Sequence, residues 1–378
     1  MELNFWETPI SILLPEDMLR MTRQNQAYAT PVTLGVNLLI TLVLGGIVLT
    51  ISSCRQETAE PVIDDTPYVY DLPAGFPTPP LSVENPQTQA KVELGRRLFY
   101  DPILSADQTI SCNSCHRQEL AFADDQPITA GVEGRLGFRN APTLVNLAYA
   151  SLVHKDGGVP KLDMQAGTPI EDALEMDLSI FTAAERLNAN ADYRDAFIRA
   201  FGREADAFTI TRALAAFQRT FISGNSPYDQ YRYQNQAMAL AETAKRGMEL
   251  FFSDELACST CHGGFNFSDQ SFTNNGSKLD YSSDLGRYRV TLDSLDIGKF
   301  RVPTLRNVAL TAPYMHDGSF PDLESVIAHY NTGGQGHAWQ DDRIRPLALS
   351  TQQQADLKAF LEALTDETFV TNPVFGPS

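Results

Sequence analysis

Apolar residues recur at helical spacing along most of the chain. Leu214, Phe217 and Phe221 fall on one face of a helix predicted over residues 207–222. Leu357, Phe360, Leu361 and Leu364 follow at i, i+3, i+4 and i+7 behind Ser350 and Gln353, a capping-box pair. Leu323, Val326, Ile327 and Tyr330 repeat that spacing on a helix begun near Asp322, which turns Tyr330 inward. The pattern breaks at Gly224-Asn225-Ser226-Pro227, a candidate domain boundary. It breaks again over 263–300, where Gly, Ser, Asn and Asp predominate. That stretch reads as a long functional loop with a small hairpin, in which Tyr288–Thr291 is a candidate strand.

The N-terminal region has a different pattern. No charged residue occurs from Gln24 to Cys54, and the apolar core Leu38–Ile51 has signal-peptide length rather than membrane-span length. It ends in Ile51-Ser52-Ser53-Cys54, which resembles a bacterial lipoprotein box with Cys54 as the lipidated mature N-terminus. The alternative is an uncleaved anchor helix, and either way the body is exported. Residues 1–20 make an awkward leader because they carry Glu2, Glu7, Glu16 and Asp17, and Met21 followed by Arg23 would be a more ordinary start. Residues 55–86 hold seven prolines and read as a semi-extended tether.

Charge and cysteine count remove whole classes of function. The 378 residues carry 47 acidic against 29 basic side chains, a net charge of -18, which excludes the basic footprint of a nucleic-acid binder. Five cysteines are too few for a disulfide scaffold.

An internal repeat gives the cysteines their meaning. Leu94-Gly95-Arg96-Arg97-Leu98-Phe99 leads into Cys112, and Arg246-Gly247-Met248-Glu249-Leu250-Phe251 leads into Cys258. Each copy then presents Cys-X-X-Cys-His: Cys112, Cys115 and His116, then Cys258, Cys261 and His262. Two thiols one turn apart reach the two vinyl groups of a haem as thioethers, and the following His faces the iron. A four-cysteine zinc site or a redox disulfide pair is the alternative, and neither needs the fifth-position His. An iron ligated strongly on both faces transfers electrons, whereas one with an open face binds peroxide.

Together with Arg301-Val302-Pro303-Thr304-Leu305-Arg306-Asn307 and Thr311-Ala312-Pro313-Tyr314-Met315-His316-Asp317-Gly318, these motifs resemble the bacterial dihaem cytochrome c peroxidase family, which includes MauG. The resemblance covers roughly residues 75–366. It implies an all-α protein of two cytochrome c-like haem domains in tandem, with a small β hairpin in the second. The division expected is 1–54 signal segment, 55–86 tether, 87–224 N-terminal peroxidatic haem domain and 225–378 C-terminal electron-transfer haem domain.

The resemblance also assigns residues. Glu175 falls at the family's acid–base position, with Gln165 and Pro169 as pocket residues; the alternative for Glu175 is a solvated carboxylate. Where many members place an iron-blocking His, this chain has Val132, which leaves the first haem open at rest. Fourteen residues past His316, where a Met ligates the second iron in typical members, stands Tyr330; Met315 and His329 are the alternatives. A calcium ion between the haems would take the Asn140 side chain and the carbonyls of Thr311 and Pro313, unless Asn140 is a helix N-cap. The family's inter-haem Trp is Lys155 here, which weakens hole-hopping between the irons. The implied activity is periplasmic reduction of hydrogen peroxide with electrons from a c-type cytochrome or similar donor, at a lipid-anchored and homodimeric protein. The rivals are MauG-like oxidation of a partner protein and a non-enzymatic dihaem electron-transfer protein.

Overall fold

The computed structural model describes residues 62–80 and 82–377. The signal segment, Cys54 and the start of the Pro-rich stretch lie outside the described residues. The architecture is mostly helical, with one two-stranded antiparallel ladder pairing Phe272 with Arg301 and Thr273 with Phe300.

The first half is organised on two crossing helices, Gln89–Tyr100 and Ala207–Gln218. The former starts at the Thr88 cap and buries Leu94, Leu98 and Phe99. Their crossing is close because residue 95 is glycine: a Cβ there would lie 1.9 Å from the Ala213 carbonyl oxygen and 2.9 Å from Phe217 Cβ. The second half repeats the device between Glu242–Phe251 and Thr351–Glu362. A Cβ on Gly247 would lie 1.9 Å from the Asp356 carbonyl oxygen and 2.9 Å from Phe360 Cβ. The repeated Gly-X-X-Leu-Phe is therefore a repeated helix crossing, with the large apolar residues buried beside the point of contact.

Each crossing has its own core. Phe99, Phe122, Phe217 and Phe221 anchor the first, and Phe251, Phe267, Leu357 and Phe360 the second. The C-terminal tail returns to the first core, where it buries Phe369, Val370 and Phe375. Arg96 and Tyr100 hold it through the carbonyls of Gly376 and Phe375, both at 2.6 Å. Asp366 sits at the junction, buried, and its carboxylate accepts from Ser223 Oγ and the backbone N–H groups of Gly224 and Asn225.

Several sequence expectations change in detail. The Ala207–Gln218 helix stops short of residue 222 because Thr220 folds back, its hydroxyl and its N–H both donating to the Phe217 carbonyl. Phe221 still points into the core. Ser350 and Gln353 form the expected capping box. Tyr288–Thr291 is a helical turn rather than a strand: Val290 and Leu292 stay exposed, so no sheet face would bury them. The described part of the Pro-rich stretch is laid along the body. Ile63 lies against Gly202, Phe76 packs edge-on to Phe265 with ring centroids 4.8 Å apart, and Pro79 is buried.

Candidate functional site

The two Cys-X-X-Cys-His segments have the same local build. Cys112–Cys115 is a single helical turn capped by Ser111, and the His116 N–H donates to the Cys112 carbonyl at 3.0 Å. Cys258–Thr260 is a tighter turn, and the His262 N–H donates to the Cys258 carbonyl at 2.9 Å. The imidazole Nδ1 of His116 lies 2.9 Å from the Phe122 carbonyl oxygen, and that of His262 lies 3.1 Å from the Phe267 carbonyl oxygen. A carbonyl only accepts, so Nδ1 carries the proton in both rings and Nε2 is left as a lone-pair donor to a metal. Burial holds both rings below the usual imidazole range, which keeps them neutral. Among the described residues, no group of three or more His, Cys, Asp or Glu side chains converges as a metal cluster.

Glu175 stands near the first pair and within electrostatic reach of both Cys112 and Cys115. Glu175 is exposed to solvent on one side, while the protein packed on its other side, with Asp172 adding to it, pushes its carboxyl up to about 7. Gln165 ends the Leu162–Gln165 turn, and Pro169 lies in the short helix Gly167–Glu171. The chain then doubles back, the Met176 N–H donating to the Pro169 carbonyl at 3.1 Å. Val132 is buried, and its N–H donates to the Glu175 carbonyl. Gly131 permits that approach, since a Cβ there would lie 2.1 Å from the Leu174 carbonyl oxygen.

The second pair opens onto a cavity of about 340 Å³ whose lining includes Cys258, Cys261, His262, Asn275, Met315 and Tyr330. Tyr330 comes from the helix Leu323–Thr332, and burial pushes its phenol above the usual range. Asn275 Nδ2 lies 3.4 Å from the Tyr330 hydroxyl and 3.2 Å from Met315 Sδ, so one amide serves both candidate ligands. His329 turns elsewhere: its Nε2 lies 2.9 Å from the Asn275 carbonyl oxygen. Nothing in the sequence marks Asn275, which sits in the polar run 263–300.

The repeat runs further than the sequence reading took it. Pro142-Thr143-Leu144-Val145-Asn146 and Pro303-Thr304-Leu305-Arg306-Asn307 each end in an Asn at φ 59° that begins a 3₁₀ turn. His154-Lys155-Asp156-Gly157 and Met315-His316-Asp317-Gly318 form matching turns, with φ of 69° at His154 and 76° at Met315. Lys155 and His316 are thus equivalent positions in the two halves. Between them lies Asn140, whose N–H donates to the His316 carbonyl at 2.9 Å. Asn140 is not a helix cap, since no helix begins at residues 141–144. Its Nδ2 donates to the Gln126 carbonyl, and its Oδ1 lies 3.5 Å from Lys155 Nζ. Thr311 and Pro313 line the same cavity. Desolvation first, then Arg139 and Arg301, push the Lys155 amine down to about 7. Phe300 stacks on His316 at 4.1 Å.

Residues 89–237 match the family described as di-haem cytochrome c peroxidase. Methylamine utilization protein MauG of Methylorubrum extorquens is 37% identical over 293 residues, spanning 75% of this chain and 80% of that protein. The chain belongs to the dihaem cytochrome c peroxidase family. Cytochrome-c peroxidase IdrP1 of Pseudomonas sp. strain SCT is another relative in it, 35% identical over 327 residues and spanning 77% of this chain and 85% of that protein. A solved structure of a MauG-like protein associated with microbial copper homeostasis superposes with a TM-score of 0.77 at 37% identity, covering 82% of this chain and 99% of the other. The protein is a peroxidase-type oxidoreductase, and its family carries two haem groups. The paired thiols and the Nε2 atoms left free by both Nδ1–carbonyl contacts fit that cofactor. Among the described residues, no helix is long and apolar enough to cross a membrane.

Proposed function

We propose that this dihaem protein is exported and reduces hydrogen peroxide to water with electrons from a c-type cytochrome or a similar small redox protein. The observation that carries the reading is the placement of Glu175 beside the first cysteine pair, its carbonyl bonded to the N–H of buried, aliphatic Val132. Residues 87–224 form the peroxidatic module and 225–378 the electron-entry module, each holding one covalent haem. The haems supply the redox equivalents and the iron that peroxide meets. His116 and His262 would hold the irons through Nε2, and the Phe122 and Phe267 carbonyls keep both rings in orientation.

Glu175 moves protons. As a carboxylate it takes one from the near oxygen of peroxide; as an acid it returns it to the departing oxygen. A carboxyl poised near neutrality serves both directions. Gln165 and Pro169 shape the pocket on the same side. The reaction balances when one peroxide takes up two electrons and two protons and leaves as two waters. Tyr330 would hold the second haem iron through its phenol oxygen, with Met315 as the alternative, since both line the cavity at the second cysteine pair. The signal segment delivers the chain to the periplasm, Cys54 tethers it by lipid, and the working protein is a homodimer.

A second reading, MauG-like oxidation of residues on a partner protein, draws support from Tyr330, where typical peroxidases carry Met. Lys155 opposes it, because no aromatic ring stands at that place between the halves. The deciding experiment is a peroxide titration of the oxidised protein followed by absorption and EPR, with and without a reduced c-type cytochrome. Rapid, stoichiometric cytochrome oxidation supports the peroxidase. A long-lived oxidised state indifferent to cytochrome would sink it and favour the MauG-like reading.

A further inference from the structure

Lys155 makes contacts that join the two halves of the molecule. Its Nζ donates to the Met315 carbonyl at 3.2 Å and reaches Asn140 Oδ1 at 3.5 Å. Asn140 is oriented for this, since its Nδ2 is held by the Gln126 carbonyl and its Oδ1 is thereby turned to the lysine. The lysine backbone is held as well: the Arg301 N–H donates to the Lys155 carbonyl at 2.7 Å. One side chain thus ties the loop after the first Cys-X-X-Cys-His segment to the loop that precedes the Tyr330 helix.

The surroundings offer a metal ion little unpaired negative charge. The nearby carboxylates are already committed. Asp156 and Asp284 each pair with Arg139 at 2.7 Å, and Asp317 pairs with Lys278. A calcium ion takes six to eight oxygens within about 2.6 Å, from carboxylates, backbone or amide carbonyls and waters. Here the resemblance offers one amide oxygen and two carbonyls, and the amide oxygen faces an amine.

We propose that the Lys155 amine occupies the side-chain oxygen of Asn140 that a calcium ion between the halves would need, so that the holoprotein is assembled and held without a divalent metal. The residue that removes the aromatic bridge between the haems is then the same residue that removes the metal. Calcium content is independent of peroxide turnover, so failure of this inference and failure of the peroxidase reading are told apart.

The test uses the dihaem holoprotein. Elemental analysis of protein purified without chelator should find far less than one calcium per chain. EGTA or added calcium chloride should leave both the haem absorption spectrum and the melting temperature unchanged. Lys155→Gln removes the amine and supplies a neutral oxygen, and should gain about one calcium per chain, with a melting temperature that climbs with the logarithm of calcium concentration. Stoichiometric calcium in the wild type, or a spectrum that changes with EGTA, would overturn the proposal. So would a folded Lys155→Gln protein that takes up no calcium. If that variant fails to fold, the wild-type calcium content and chelator response decide alone.

Discussion

The backbone N–H of Val132 donates to the carbonyl oxygen of Glu175 at 2.8 Å. Two segments far apart in sequence, the loop after the first haem motif and the turn that carries the acid, are thus one unit. The residue at the loop's critical place is buried and cannot ligate a metal.

That unit predicts the resting state. The oxidised protein should show one high-spin haem by EPR and turn over peroxide without prior reduction. Val132→His places an imidazole on the same loop and should convert that signal to low spin, with activity appearing only after reduction. Two low-spin signals in the wild type would mean that another residue caps the first iron.

Glu175→Gln should lower peroxide turnover by about 10²–10⁴-fold with both haems still attached. In the wild type, steps that need the carboxylate should strengthen as pH rises through about 7. The linkage to stability has the opposite sign. A carboxyl raised above its unfolded value binds more protons in the folded state, so its contribution to stability falls as pH rises from about 4.5 to about 7. Urea midpoints across that window should fall less for Glu175→Gln than for wild type.

If Tyr330 ligates the second iron, Tyr330→Met exchanges a hard oxygen donor for a thioether, and the reduction potential of the C-terminal haem should rise. Met315→Leu should leave that potential nearly unchanged. If the two variants behave the other way round in a spectroelectrochemical titration, Met315 is the ligand and Tyr330 a packing residue.

Gly95→Ala and Gly247→Ala each force a Cβ to within 1.9 Å of a carbonyl oxygen on the facing helix. Each should cost about 1–3 kcal/mol or more, read as a lower denaturant midpoint. Gly137→Ala is the control, since a Cβ there meets nothing.

What could be read in advance follows physical lines. Helices with a buried stripe and side-chain caps, such as Thr351–Glu362, announce themselves through local spacing, and the Cys-X-X-Cys-His segments through chemistry confined to five neighbouring residues. Asn275 could not be found, because its meaning comes from Tyr330 and Met315, both distant in sequence. Tyr288–Thr291 has strand-like residues and no partner strand, and the backbone closed on itself instead. The return of Phe369, Val370 and Phe375 to the first core carries no periodicity to read. The longer repeat stayed hidden because Lys155 and His316 share a position without sharing a residue type.

The two glycine crossings also set an order of events. In each half the helix with the glycine comes early, its partner comes late, and the Cys-X-X-Cys-His segment lies between them. A chain emerging from its N-terminal end presents Cys112, Cys115 and His116 before Ala213 and Phe217 exist to close the pair. It presents Cys258, Cys261 and His262 before Asp356 and Phe360. Each Cys-X-X-Cys-His segment would therefore be open to haem before its helix crossing can close, for an interval set by the length of chain still to come.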